Sequence, residues 1–184
     1  MDKIYVFLAT GFEDIEALGF VDVCRRAELP VYTVSITGKP IVKSAHNVGI
    51  ESDLLFEEVS FDDAALLYLP GGMPGAANLD SHEGLRSVIL KHYSAGKPLA
   101  AICAAPMVYG RLRLLKGLHA TCYPGFEKYL DGATPTGSLT IHDGQFFLGK
   151  GPAAVLPLSY EIVASLCGKE ISDQICEGML FPEI

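Results

Sequence analysis

The sequence has no tryptophan and few charged side chains, and basic residues are the scarcer kind. Charged residues make up 20% of the chain, with 14 lysines and arginines against 22 aspartates and glutamates and a formal net charge of -8. Such a surface repels phosphate backbones, so we expect no nucleic-acid partner. The longest nearly uninterrupted apolar stretch, residues 99–109, contains Pro106 and falls well short of the roughly 20 residues of a membrane-spanning helix. We therefore expect no membrane partner.

Signatures of cofactor and metal sites are also missing. The chain contains neither the phosphate-binding pattern GxxxxGK[ST] nor the dinucleotide pattern GxGxxG, and no two histidines have metal-ligand spacing. We therefore expect no cofactor and no metal. The cysteines are odd in number, widely spaced and without a CxxC pair, which argues against a disulfide framework and a zinc site. These five separate thiols are Cys24, Cys103, Cys122, Cys167 and Cys176.

Length and composition favour one compact domain. A chain of 184 residues has the length of a single domain, and 49% hydrophobic residues supply ample material for a core. We expect one domain over residues 1–184. The N-terminus begins Met-Asp-Lys and enters a strand-like run without a basic leader or an apolar h-region, which predicts a cytoplasmic protein.

Four short apolar runs predict the central strands of a parallel sheet. Continuous rather than alternating hydrophobicity is typical of strands covered on both faces. The runs occupy residues 4–9, 31–37, 65–69 and 99–102. Helical spacing between these runs predicts an α/β three-layer α/β/α sandwich with a mostly parallel, flavodoxin-like central sheet.

The helices between the strands are predicted from apolar spacing and capping residues. The first, residues 14–27, places Ile15, Leu18, Val21 and Cys24 on one face. A capping arrangement at residues 80–83 predicts a helix that ends at Gly96, and Pro106 suits the first turn of another. A final helix is predicted over residues 153–166. Strand-like pieces at residues 41–42 and 48–50 predict a hairpin or an extension of the sheet. A hairpin is predicted at residues 139–142 with 145–148 around Asp143-Gly144.

Cys103 follows a predicted strand directly and precedes a predicted helix. Orphan amide groups at such a junction favour a thiolate over a thiol, which makes Cys103 a candidate nucleophile. The Ala104 amide, with Gly72 as a second donor, could bind an oxyanion beside the sulfur. The alternative is a small core residue, because free cysteine is among the most buried residue types.

Five segments carry a resemblance to a known family. They are GFEDIEA at 11–17, VDVCRRA at 21–27, LPGG at 69–72, AAICAAP at 100–106 and KGP at 150–152. The chain resembles the ThiJ/PfpI superfamily, which has a class I glutamine-amidotransferase-like fold. The resemblance implies that Cys103 is the cysteine of a nucleophile elbow, that Glu16 lies beside its sulfur, and that Gly72 and Ala104 are the oxyanion donors. A protonated Glu16 beside a thiolate is then expected, because two adjacent anions are costly.

Two departures from the family pattern bear on the reaction. Protease-like members carry a histidine directly after the nucleophile, whereas this chain has Ala104, which disfavours peptide hydrolysis. Deglycase-like members often carry a histidine before a later proline, where this chain has Tyr123, a poor general base at neutral pH. His46 is the best substitute for substrate positioning or proton transfer, although an ordinary surface histidine is the alternative.

The resemblance leads to three hypotheses of function. The first is a glyoxalase III-like or deglycase-like enzyme, in which Cys103 attacks an α-oxoaldehyde or its early protein adduct. The second is a redox sensor or chaperone that works by oxidation of Cys103. The third is a thiazole monophosphate biosynthesis protein, an amidase or a protease-like hydrolase.

The expected partners are a small carbonyl substrate or a glycated protein, and a second copy of the chain. Arg26 matches a position that approaches the neighbouring subunit in dimeric relatives. A local basic cluster follows the nucleophile helix, and we interpret it as a solvated face. It consists of Arg111, Arg113, Lys116 and His119.

Overall fold

The computed structural model describes residues 3–181. The ends of the predicted domain, residues 1–2 and 182–184, lie outside this range. Met1 and Asp2, on which the prediction about the N-terminus depends, are among them. The strands are β1 (Lys3–Leu8), β2 (Val31–Ser35), β3 (Ile41–Lys43), β4 (Gly49–Glu51), β5 (Leu54–Leu55), β6 (Ala64–Leu69), β7 (Leu99–Ile102), β8 (His119–Ala120), β9 (Thr134–Pro135), β10 (Thr140–Asp143) and β11 (Phe146–Gly149). The α-helices are α1 (Asp14–Arg26), α2 (Gly75–Ser81), α3 (Glu83–Ser94), α4 (Pro106–Arg111), α5 (Val155–Cys167) and α6 (Lys169–Gly178).

Seven strands form the central sheet in the order β10-β11-β7-β6-β1-β2-β5. Every neighbouring pair is parallel except β10 and β11 at one edge. Helix α1 packs against α5, which packs against α6, and α2 contacts both α3 and α4. These two groups of helices flank the sheet, and the predicted three-layer sandwich is confirmed.

The central strands are buried because helices cover both of their faces. Four of the six residues of β1 are completely inaccessible to solvent, and so is all of β7. Such strands need apolar side chains at every position, which explains the continuous runs in the sequence. The predicted hairpin at residues 41–50 is present as β3 and β4, a two-stranded sheet separate from the main one.

The capping arrangement predicted at residues 80–83 is wrong in detail. Asp80 and Ser81 belong to the short helix α2, which the sequence analysis missed, and the side chain of His82 caps α3 by accepting a hydrogen bond from Leu85 N at 3.0 Å. A seven-residue helix spans only two turns, too few for its apolar spacing to stand out.

Asp80 also corrects the interpretation of Arg111 as part of a solvated basic face. The Asp80 carboxylate is almost completely buried, and it accepts hydrogen bonds from Arg86, at 2.8 Å, and from Arg111. A buried charge requires such partners. Arg111 therefore links α4 to α2 instead of facing water alone.

The predicted apolar face of α1 is only half correct. Val21 and Cys24 are buried, but Ile15 is 56% exposed and Leu18 is 37% exposed. The helix instead buries Glu16, Ala17 and Phe20 against the sheet. A carboxylate lies on the inner face of α1, and two aliphatic side chains lie outside.

Near the C-terminus, the bounds of two strands and one helix differ from the predicted bounds by one or two residues, and one further helix is present. The hairpin strands β10 and β11 lie one residue later than predicted, and α5 begins at Val155 instead of residue 153. Helix α6 was not predicted. Within residues 3–181, no helix is long and apolar enough to cross a bilayer.

Candidate active site

Three loops meet where β1, β6 and β7 end. The Gly11–Glu16 region follows β1, Gly71 and Gly72 follow β6, and Cys103 follows β7. These strands are neighbours in the order β7-β6-β1, so their carboxyl ends lie side by side. Ligands of open α/β sheets bind beyond such ends. The structure thus brings together the four residues that the resemblance assigns to chemistry, namely Glu16, Gly72, Cys103 and Ala104.

The backbone of Cys103 has a conformation that L-residues rarely adopt. Its φ angle is +64°, in the left-handed region. Two hydrogen bonds hold it there, because Cys103 N donates to Gly149 O at 2.8 Å and Tyr123 N donates to Cys103 O at 2.8 Å. A strained turn of this kind costs about 1–3 kcal/mol and is typical of nucleophile elbows. Cys103 is 9% exposed, so the residue is almost buried.

Glu16 is completely buried, and α1 directs its carboxyl toward the elbow. The carboxyl lies beside the Cys103 side chain, because a methyl group on Gly71 would lie 2.7 Å from both Cys103 Cβ and Glu16 Oε2. Oε2 accepts a hydrogen bond from Gly71 N at 2.8 Å. Tyr68 fixes the helix at this point, because its hydroxyl donates to Glu16 O at 2.9 Å and its ring stacks on Phe20 at 3.9 Å. Glu13 caps the same helix end by accepting from Glu16 N at 2.8 Å.

Glu16 and Cys103 titrate as a coupled pair. Burial raises the pKa of the Glu16 carboxyl to about 7. Burial and the adjacent Glu16 carboxylate raise the pKa of the Cys103 thiol to about 12, although the Gly72 and Ala104 amides lower it. Each charge opposes the other, so the pair shares one proton and carries one negative charge between about pH 7 and 12.

Neighbouring donors decide where that single negative charge lies. The Gly71 amide favours charge on the Glu16 carboxyl, whereas the Gly72 and Ala104 amides favour charge on the Cys103 sulfur. Glu16 Oε1 is buried and has no hydrogen-bond partner among residues 3–181, which disfavours an ionised carboxylate. The order of the two pKa values, about 7 for Glu16 and about 12 for Cys103, instead favours the charge on the carboxyl. The expected thiolate beside a protonated Glu16 therefore stays a prediction.

Gly71 leaves no room for a side chain beside the elbow. A methyl group here would lie 2.7 Å from Cys103 Cβ and from Glu16 Oε2, and 2.8 Å from Ile102 O. We expect Gly71→Ala to lower the free energy of unfolding by about 1–3 kcal/mol, because backbone and a buried carboxyl must shift. Urea unfolding measures this loss. Gly178→Ala is the matched control, because a Cβ there meets no atom within 4 Å; equal stability of the two variants would contradict the prediction.

His46 lies in the turn between β3 and β4, beside the start of α1. Its Nδ1 lies 2.6 Å from Asp14 Oδ2. Hydrogen bonding to Asp14 raises the pKa of His46. Burial alone would raise the pKa of Asp14, but hydrogen bonds with Ser44 and His46 outweigh burial and lower it. The sequence analysis did not predict that Asp14 is the partner of His46. The only feature that pointed to Asp14 was its place in the GFEDIEA segment, at the predicted start of α1.

Tyr123 is attached to the elbow through its backbone. Its amide bonds the Cys103 carbonyl, but its ring is 47% exposed and packs beside Gly151. The hydroxyl of Tyr123 makes no hydrogen bond within the described part of the chain. Burial raises the pKa of the neighbouring Cys122 thiol to about 11. Within residues 3–181, the side chains of Tyr123 and Cys122 make no hydrogen bond to the Glu16 carboxyl or to the Cys103 sulfur.

One group of side chains has the chemistry of a cation site. Ligand atoms of Glu13, Asp14 and His46 lie within 4.8 Å of one another. Each acid is already engaged, since Glu13 caps α1 and Asp14 holds His46. Exposed acidic groups of this kind are common without an ion, and we assign no metal to them.

Comparison with known proteins shows the family of the chain. Residues 2–165 match the model of the DJ-1/PfpI family. The chain belongs to the DJ-1/PfpI family. Among curated relatives of this family, "Protein DJ-1 homolog B" of Arabidopsis thaliana is 34% identical over 170 residues, which cover 91% of this chain. "Deglycase PH1704" of Pyrococcus horikoshii is 29% identical over 172 residues, which cover 89% of this chain and 99% of that protein.

Solved structures of DJ-1 proteins have the same fold. Toxoplasma gondii DJ-1, in an oxidized form, superposes with a TM-score of 0.95 at 28% identity, and each chain is covered completely. Drosophila melanogaster DJ-1beta superposes with a TM-score of 0.93 at 28% identity, again with complete coverage. The chain spans less than half of the two Arabidopsis relatives, 39% of homolog B and 46% of homolog A. The activities of those longer proteins are therefore not transferred to this chain.

Proposed function

We propose that this DJ-1/PfpI chain is a cysteine-dependent enzyme that acts on α-oxoaldehydes or their early adducts on proteins. The observation that carries the proposal is Cys103 at a strained elbow beside the buried Glu16 carboxyl, where the Gly72 and Ala104 amides lower the pKa of the thiol. The arrangement supplies a nucleophile, a proton store and two oxyanion donors at one place beyond the ends of the strands. Deglycase PH1704, a relative of nearly the same length, is named for an activity of this class.

The reaction begins when the proton shared by the pair moves from Cys103 to Glu16 and the sulfur attacks the aldehyde carbon. A C–S bond forms, and the carbonyl π electrons move to oxygen, which takes the proton held by Glu16 to give a hemithioacetal. The carboxylate of Glu16 then removes the hydrogen of that carbon as a proton. Return of a proton to the adjacent carbon leaves a thioester, which water hydrolyses to a hydroxy acid. The aldehyde carbon is oxidised while the adjacent ketone carbon is reduced, so no external oxidant is needed.

Lactate production from methylglyoxal tests this function directly. We expect the wild-type protein to form lactate, and intact-protein mass spectrometry to detect a substrate adduct on Cys103. Absence of both lactate and adduct at millimolar methylglyoxal would end the proposal. Histidine does not follow the nucleophile, where Ala104 stands, so we do not propose peptide hydrolysis.

A redox sensor or chaperone remains the second candidate function. The observation that favours it is the same pair of amides, because Gly72 and Ala104 N–H groups can hydrogen-bond an oxygen added to the Cys103 sulfur. Mild peroxide treatment separates the two candidates. Oxidation of Cys103 in a protein that forms no lactate would favour the sensor. The thiazole and amidase hypotheses have no comparable observation behind them.

A homodimer through α1 is the proposed assembly. Ile15 and Leu18 are aliphatic and exposed on α1, beside the site loop, and a second copy would bury them. We expect Ile15→Asp to convert a dimer into a monomer in light scattering. Leu90→Asp, at an exposed leucine on α3, is the control and should leave the dimer intact. A wild-type monomer, or equal effects of both changes, would contradict the proposal.

The proposed compartment is the cytoplasm, which suits five cysteines without disulfides.

A further inference from the structure

The imidazole of His46 is oriented by a carboxylate and open to solvent on its other side. Nδ1 lies 2.6 Å from Asp14 Oδ2, and the side chain of His46 is 68% exposed, whereas that of Asp14 is only 18% exposed. A half-buried carboxylate that holds one ring nitrogen fixes the ring and leaves Nε2 available for a ligand. Asp14 and His46 thus have the form of a catalytic dyad.

Backbone hydrogen bonds join the turn that carries His46 to the site loop. Gly11 N donates to Lys43 O at 2.8 Å, and Ala45 N donates to Phe12 O at 2.7 Å. A bridge between Phe12 and Ser44 adds a third link. The position of His46 is therefore set by the same segment that leads into Glu16.

Glu13 connects the dyad to the Cys103 pair. Its amide donates to Gly71 O at 3.0 Å, and a Cβ on Gly72 would lie 2.5 Å from Glu13 N. The Glu13 carboxylate raises the pKa of both Glu16 and His46, so both groups lie within its electrostatic reach. The Glu13 carboxylate accepts from Glu16 N, and ligand atoms of Glu13, Asp14 and His46 lie within 4.8 Å of one another.

The other four histidines are engaged away from Cys103. His82 caps α3 and His92 bonds Pro98 O before β7, while His119 lies against Asp143 and His142 stacks on Phe147. Pro98 lies at the amino end of β7, opposite the elbow. His46 is accordingly the histidine best placed to serve the site.

We propose that His46 is the general acid for the second carbonyl oxygen of an α-oxoaldehyde bound at Cys103, with Asp14 as its positioning residue. The inference rests on the proposed function. The Gly72 and Ala104 amides serve the first oxygen, on the carbon that the sulfur attacks, and leave the second oxygen without a donor. A dicarbonyl substrate needs a hydrogen-bond donor at each of its two oxygens.

The proton balance of the middle step requires such a donor. When Glu16 removes the hydrogen of the hemithioacetal carbon as a proton, the C–H electrons form a carbon–carbon double bond. The π electrons of the second carbonyl move to its oxygen, which takes the proton from His46 Nε2 and gives an enediol. Collapse of the enediol returns a proton to His46 from the first oxygen, while Glu16 protonates the second carbon.

The charges around His46 favour its protonated form. Asp14 raises its pKa through a hydrogen bond and through its charge, and Glu13 raises it further. On its own turn, Lys43 is the nearby cation, and its Nζ donates to Asn47 Oδ1 at 3.0 Å. A general acid is lost as pH rises through its pKa, so activity should fall on the alkaline side.

Methylglyoxal kinetics with three variants test the proposal. We expect His46→Asn to lower kcat by about 10²-fold. Asp14→Asn should move the alkaline limb of the pH profile to lower pH, because it removes the charge that raises the pKa of His46. His119→Asn is the matched control, since His119 is exposed and lies 3.2 Å from Asp143 in a pair remote from the elbow. A His46→Asn enzyme as active as the control would overturn the proposal.

Alkylation of Cys103 gives a second measurement that does not need turnover. Anionic iodoacetate should react faster relative to neutral iodoacetamide when an imidazolium lies near the sulfur, and His46→Asn should lower that ratio several-fold. If the wild type forms no lactate, the proposed function fails and the general-acid role fails with it, whatever the ratio. If lactate forms but neither kcat nor the ratio responds to His46→Asn, the role of His46 alone is overturned.

Discussion

Replacing Cys103 by alanine is expected to lower the rate of lactate formation from methylglyoxal by about 10³-fold or more. The sulfur is the only atom of the site that can form the covalent intermediate, so its removal leaves amides and a carboxyl with nothing to stabilise. The change deletes one side-chain atom and leaves intact the backbone hydrogen bonds to Gly149 and Tyr123. Steady-state lactate assays at equal protein concentration measure the loss.

Cys122→Ser is the matched control for that experiment. Cys122 is also buried and lies one residue before Tyr123, whose amide bonds the elbow. Among residues 3–181, the Cys122 side chain makes no hydrogen bond to Glu16 or Cys103. We expect the Cys122 variant to keep its activity within a few-fold of wild type. Retention of a tenth of the wild-type rate by Cys103→Ala, or equal losses in the two variants, would show that the chemistry lies elsewhere.

Glu16→Gln is expected to lower kcat by about 10²-fold to 10⁴-fold. Glutamine preserves the shape and can still accept the hydrogen bond from Gly71 N, but it can neither store nor remove a proton. The pH profile adds a second criterion. A wild-type transition near pH 7, where the pair loses its first proton, should disappear in the variant. Persistence of this transition at full rate would contradict the role of Glu16.

The same variant should unfold less readily than wild type at neutral and alkaline pH. The folded pKa of Glu16, about 7, lies above its ordinary value of 4.5, so the folded chain binds the proton more tightly than the unfolded chain. Stability from this source is complete below pH 4.5 and is lost as pH rises through 7, by about 3 kcal/mol in all. Glutamine does not ionise. Urea unfolding measures this effect. From pH 4 to pH 8, the free energy of unfolding of Glu16→Gln should rise by about 3 kcal/mol relative to that of the wild type.

Continuous hydrophobicity predicted the parallel strands because burial on both faces leaves no polar positions. It could not predict α2, whose seven residues are too few for a clear period, or the exposure of Ile15. Periodicity identifies an apolar stripe, but it does not say whether the stripe faces the core or solvent. The buried carboxylate of Asp80 was also beyond prediction, because its arginine partners come from two other helices.

The elbow was predictable from local sequence, whereas its electrostatics were not. A cysteine between an apolar strand and Pro106 indicates a strand-to-helix turn, and the resemblance added Glu16. The pKa of the pair depends on burial and on amides that converge from separate loops, which no spacing reveals. The pairing of His46 with Asp14 joins residues 32 positions apart, and only the folded chain brings them into contact.

The separation of β3 and β4 from the central sheet divides the molecule into parts with different tolerance for mutation. Cys103 and Glu16 are embedded in the core, where almost any replacement disturbs packing, but the turn with His46 belongs to a small surface hairpin. Exposed positions of that hairpin tolerate substitution at little cost in folding free energy, whereas Val42 and Ser44 are buried. Under the proposed function, substrate preference can therefore change through these exposed positions while the nucleophile and its scaffold stay unchanged.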